Sequence, residues 1–174
     1  PSVKNFGEIE FWFAMIKIVA ICALIIVGAI MVATSFTTPS GAHAQVANLW
    51  NDGGFFPNGA TGFLGAFQIA VFAFMGSELV GTTAAETQNP TVTLPKAINS
   101  VPVRILIFYV GALVVILMVN PWREIDPAKS PFVTMFTLAG IAIAAHIVNV
   151  VVLTSATSSA NSGIFSTSRM VYGL

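Results

Sequence analysis

The segment from about Gly59 to about Thr83 is apolar and carries a carboxylate, Glu78, within Phe72-Ala73-Phe74-Met75-Gly76-Ser77-Glu78. A lone glutamate inside a hydrocarbon core costs at least about 3 kcal/mol unless it faces a cavity or a partner. Glu78 therefore marks a functional position. Gly59, Gly62, Gly65, Gly76 and Gly81 punctuate the same segment, and each glycine costs about 1 kcal/mol against alanine inside a helix. That pattern suits a broken helix, whose freed amides and carbonyls are tolerated at membrane depth only where they line a cavity. The plainer reading also stands: glycines for close helix packing and a Glu78 paired with a neighbour.

Composition decides the solvent. Only 8% of the 174 residues are charged and 56% are hydrophobic, with mean hydropathy +0.86, against about 25% charged in a soluble domain. The chain is an all-α integral membrane protein by this measure. Its formal net charge of zero offers no basic surface for nucleic acid. A single cysteine, Cys22, excludes an internal disulfide and a multi-cysteine metal site. The chain opens on Pro1 without a visible signal peptide and stops in mid-pattern at Met170 to Leu174, and so reads as an internal piece of a longer protein.

Four spans are expected, over 11–33, 60–86 (broken near 74–78), 101–119 and 132–160. The first, at roughly 23 residues, covers a hydrocarbon core of about 30 Å. Phe11, Trp12 and Phe13 suit an interfacial belt, and Lys17 lies one to two turns deeper. Two readings of Lys17 are open: its stem can carry the ammonium back to the interface, or it serves a site. Pro39, Gly41, Asn51-Asp52-Gly53-Gly54 and Pro57 make 34–58 a loop, in which His43 is expected to be solvated. The connector 84–102 is polar; Pro90 marks a turn and Pro95 a short helix's first residue. In the fourth span His146 and Asn149, at i and i+3, share a face. An inter-helix hydrogen bond is the expected role of His146. Thr154 to Ser168 is rich in small and hydroxyl residues that allow close packing in lipid. Lys4, Lys96, Arg104 and Arg169 fall on one side of four alternating helices, against Arg123 and Lys129 on the other. The positive-inside rule then puts the N-terminal end, the 84–102 connector and the C-terminal end in the cytoplasm.

Phe74-Met75-Gly76-Ser77-Glu78, Gly81 to Pro90, Leu94-Pro95-Lys96-Ala97-Ile98, Trp12 to Lys17 and Ser159 to Arg169 together resemble the amino acid permease family of the amino acid/polyamine/organocation superfamily. The likeness covers essentially the whole chain and is strongest to bacterial members that carry D-serine, D-alanine and glycine. It implies helices five to eight of about twelve in an inverted-repeat (5+5) transporter fold with a discontinuous helix six. It also implies secondary active proton symport of small neutral amino acids across a bacterial inner membrane. The partners are then the amino acid substrate, a proton, the lipid bilayer and the remaining helices; no cofactor, metal or enzymatic activity is implied. By the same resemblance Phe72 shapes or caps the substrate pocket, and Phe74, Met75, Gly76 and Ser77 border it. Carbonyls freed where the half-helix ends near Phe74 would receive the substrate ammonium. Glu78 and Lys17 would couple binding to motion, Lys17 carrying the proton and the hydroxyls of Thr154 to Ser168 facing it.

The same motifs are shared by permeases of other substrates, such as aromatic amino acids or 4-aminobutyrate. A more distant alternative is an intramembrane hydrolase using His146 and nearby serines. The chain has no Gly-x-Ser-x-Gly elbow and no carboxylate near His146 in sequence, which argues against it. One glutamate on a broken helix also fits alternating access better than a pore lined by a ring of charges.

Overall fold

A computed structural model describes residues 3–74, 89–141 and 143–172. Among the described residues the chain is helical, with one isolated antiparallel bridge between Thr37 and His43. Two stretches of the described residues are long and apolar enough to cross a membrane, Gly7–Ala33 at mean hydropathy 2.8 and Pro90–Val119 at 2.5.

The first helix, α1 (Val3–Ala33), begins ahead of the apolar run at Phe11. Hydropathy marks where lipid can lie, whereas the helix continues as long as nothing interrupts its backbone hydrogen bonds. Residues 3–10 hold no proline and several good helix formers. α1 stops where Ser35 takes a left-handed conformation (φ 49°). The Ser35 amide donates to the Val32 carbonyl and the Phe36 amide to that of Met31, which closes the helix end.

Helix α2 (Gly59–Phe74) starts at Gly59, whose φ of +61° suits glycine. Phe63, Leu64, Phe67 and Ile69 are all exposed on it. The expected break at 74–78 lies outside the described residues beyond Phe74.

The connector, expected to turn at Pro90 and to open a short helix at Pro95, is helical from Pro90 onward. α3 (Pro90–Arg104) opens at Pro90, not Pro95, with Asn89 left-handed before it (φ 51°). Proline is well placed at a first helical position because its missing N–H has no acceptor there in any case. Pro95 and Pro102 lie inside α3. After Pro102 the hydrogen-bond register widens into a π segment, Ile105–Val110, and returns to α-helix in α4 (Gly111–Val119). A proline withholds one amide and crowds the carbonyl four residues back; the widened turns that follow take up that defect.

The span expected over 132–160 is two helices, α5 (Pro131–Leu138) and α6 (Ala144–Tyr172). Gly140 at φ +77° separates them. Its amide donates to the Thr137 carbonyl and the Ile141 amide to that of Phe136, a glycine-capped helix end. Continuous apolarity across 132–153 hid this stop.

Leu24 and Met31 of α1, Ala112, Val115, Ile116 and Val119 of α4, Met135 and Phe136 of α5 and Val148 of α6 form the core. α1 packs on α4, α5 and α6. Gly28 allows the closest approach: a Cβ there would collide with Val115 Cγ1 and lie 2.9 Å from Met135 Cε. The loops at one end interlock over this core. Buried Asn48 donates to the carbonyls of His43 and Met118, both at 2.8 Å, and Ser40 donates to Glu124 at 2.6 Å. His43 is exposed, its Nδ1 3.0 Å from Thr37 Oγ1. Away from these loops, the N-terminal part of α1 meets the C-terminal part of α6, Glu10 beside Ser158 and Asn161.

Candidate functional site

Lys17 lies on α1 above an apolar cleft of about 250 Å³ bordered by Ala20, Phe132, Val148, Val151 and Ser155. Its ammonium turns to α6 and donates to Ser158 Oγ at 2.9 Å. Ser158 is only 4% exposed. A hydroxyl has one proton to give, and an ammonium can only donate, so Ser158 accepts from Lys17 and spends its own proton elsewhere. That proton goes to Glu10 Oε2 at 2.6 Å. The other carboxylate oxygen, Oε1, accepts from Asn161 Nδ2 at 2.9 Å. Both Glu10 oxygens are thus acceptors, the arrangement that an ionised carboxylate satisfies.

Local geometry explains the convergence. Glu10 and Lys17 are seven residues apart, two turns, so both face the same neighbour. Ser158 and Asn161, at i and i+3, share a face of α6. α1 and α6 run antiparallel, and their seam changes from this polar node to apolar Ala20, Ala23, Val148 and Val151 further along. Neither Glu10 nor Asn161 stood out in the sequence. The signal was the spacing of Glu10 from Lys17, obscured because the apolar run begins one residue after Glu10.

Phe74, the last described residue of α2, stacks on Tyr109 of the π segment, ring centroids 5.6 Å apart and planes 19° from parallel. This contact joins a residue expected at the substrate pocket to the irregular part of the 90–119 helix. Phe72 lies in the last turn of α2. Met75, Gly76, Ser77 and Glu78 lie outside the described residues, so Lys17 and the Phe72–Phe74 turn are the expected site positions seen here. His146 does not form the expected inter-helix bond among the described residues; it and Asn149 are exposed on α6. Among the described residues no cluster of three or more His, Cys, Asp and Glu is arranged to hold a metal ion.

An ammonium and a carboxylate are thus joined through one buried hydroxyl between two largely apolar helices. The amino acid permease family model matches residues 1–174, the whole chain. The chain belongs to the amino acid permease family. It is 64% identical over 173 residues to the D-serine/D-alanine/glycine transporter of Escherichia coli K12, covering 99% of this chain and 37% of the relative. It is 50% identical over 171 residues to the DL-alanine permease SerP2 of Lactococcus lactis, covering 98% of this chain and 37% of that protein. The aromatic amino acid transport protein AroP of E. coli O6:H1 is 49% identical over 173 residues, 99% of this chain and 37% of AroP. No solved structure matches. This permease chain thus spans about 37% of the length of these curated relatives. The family and these relatives are transporters, not enzymes.

Proposed function

We propose that this chain is the helix five to eight portion of a proton-coupled symporter for small neutral amino acids, glycine, D-alanine and D-serine, in a bacterial inner membrane. The observation that carries the reading is the Lys17 ammonium held by Ser158 across the α1–α6 seam. A cation there can lock the two helices together while protonated and release them when neutral, the change that alternating access requires. The 64% identity to a transporter named for D-serine, D-alanine and glycine supports the substrate group. In this reading the chain forms a single transport domain within an inverted-repeat fold, and α2 is the first half of a discontinuous helix six. Phe72, Phe74, Met75, Gly76 and Ser77 border the amino acid, while Glu78 and Lys17 couple its binding to helix motion. The substrate and the proton are the partners, together with the remaining helices and the lipid.

The test is uptake of labelled glycine by the full-length permease in proteoliposomes, with an inward proton gradient and no sodium. Accumulation that collapses with a protonophore and that unlabelled D-alanine or D-serine competes away is expected. Uptake of phenylalanine in place of glycine would move the protein to the aromatic-substrate group that AroP's name describes.

A further inference from the structure

The Lys17 to Glu10 connection has a direction. Lys17 Nζ donates to Ser158 Oγ at 2.9 Å, and Ser158 donates to Glu10 Oε2 at 2.6 Å. Glu10 lies two turns nearer the N-terminal end of α1 than Lys17. We propose that Glu10 is the inward proton acceptor of the permease, receiving through the Ser158 hydroxyl the proton that Lys17 carries.

The step balances without another reactant. One Nζ–H bond of the Lys17 ammonium breaks as its proton binds Ser158 Oγ, whose original proton passes to Glu10 Oε2. The products are a neutral Lys17 amine, a Ser158 hydroxyl turned back toward it and a neutral Glu10 carboxylic acid. A charged pair becomes a neutral pair. Separating two charges in a low-dielectric seam is costly, whereas neutral partners part at far lower cost. Proton transfer to Glu10 therefore releases the α1–α6 seam, and the polar node opens while the close-packed half of α1 stays in place. Asn161 holds the Glu10 carboxylate toward Ser158 by its bond to Oε1.

Among the described residues, the other titratable groups on α1 and on the elements packed against it lie at other positions. α4 and α5 carry none, and the π segment carries Tyr109, stacked on Phe74. On α6, His146 and Arg169 are each about three turns from Ser158, with Tyr172 beyond. On α1, Glu8 is two residues from Glu10 and so on another face, Lys4 lies nearer the N-terminal end, and Cys22 lies beyond Lys17.

The inference rests on the proposed role of Lys17, so the experiment separates the two. In proteoliposomes of the full-length permease, gradient-driven accumulation of labelled glycine is compared with glycine exchange at equal pH on both sides. Glu10→Gln keeps the shape and hydrogen-bonding reach of the side chain and cannot take the proton. The ratio of accumulation to exchange is expected to fall about ten-fold or more. Ser158→Ala should lower it likewise, and Ser158→Thr, which keeps the hydroxyl, should restore it. An unchanged ratio in Glu10→Gln, or accumulation and exchange falling together, would assign Glu10 a purely structural role and overturn the inference. If Lys17→Gln also leaves accumulation intact, the coupling role of Lys17 itself fails. If only Lys17→Gln abolishes accumulation, that role stands and Glu10 alone is wrong.

Discussion

The two halves of α1 are held in opposite ways. Toward its C-terminal end, Leu24, Gly28 and Met31 pack against Val115 and Met135 so closely that no Cβ fits at position 28. Toward its N-terminal end, Glu10 and Lys17 meet α6 through Ser158 and Asn161, beside an open apolar cleft. Close packing is all or nothing, since dispersion is lost as soon as surfaces separate. Hydrogen bonds can be exchanged for others, and in lipid they average only about 0.6 kcal/mol each. A helix held by close packing at one end and by exchangeable bonds at the other can pivot about its packed end.

The contrast can be broken first at Gly28. Gly28→Val should destabilise the full-length permease by about 3 kcal/mol through overpacking against Val115 and Met135, read as a lower unfolding temperature in detergent. Full stability in that variant would mean that the two halves are alike. Asn48→Ala tests whether the loop cap belongs to the rigid half. It removes the side-chain donor to the His43 and Met118 carbonyls, the second of which still accepts from the Gln45 amide, and a loss of about 2 kcal/mol in the same thermal assay is expected. Ser158→Ala should cost only about 1 kcal/mol of stability while changing coupling strongly; a loss as large as that at Gly28 would make the polar node a fixed anchor. Smallest is Arg123→Ala at the exposed Asp52 pair, 3.9 Å apart, where a change under about 0.5 kcal/mol is expected.

Glycine had a legible meaning in some places and not in others. Gly59 opens a helix with positive φ, in a segment already marked by its glycines. Gly28 and Gly140 lie inside apolar runs, where hydropathy reports solvent and is blind to both the close approach at one and the helix stop at the other. Proline showed the same division. Pro90 and Pro95 signal an interruption locally, yet α3 absorbs Pro95 and Pro102, and the irregularity emerges only beyond them, in Ile105–Val110. A proline alters the hydrogen bonds of its neighbours, and surrounding packing decides where the defect is taken up.

The amino-acid sequence determined the solvent and the family. Long apolar runs with few charges leave lipid as the medium, and the motifs around Trp12 to Lys17 and Phe74 to Pro90 belong to amino acid permeases. It also marked Lys17, because a charge inside an apolar run is visible without any knowledge of its neighbours. Only the tertiary structure decided what Lys17 meets. Ser158 lies 141 residues away in the chain, and Glu10 lies 148 residues from that same serine. The stretch Thr154 to Ser168 contains many hydroxyls, and helical periodicity places several on each face. The antiparallel register of α1 against α6, set by apolar packing between Leu24 and Val148 and their neighbours, selects one of them.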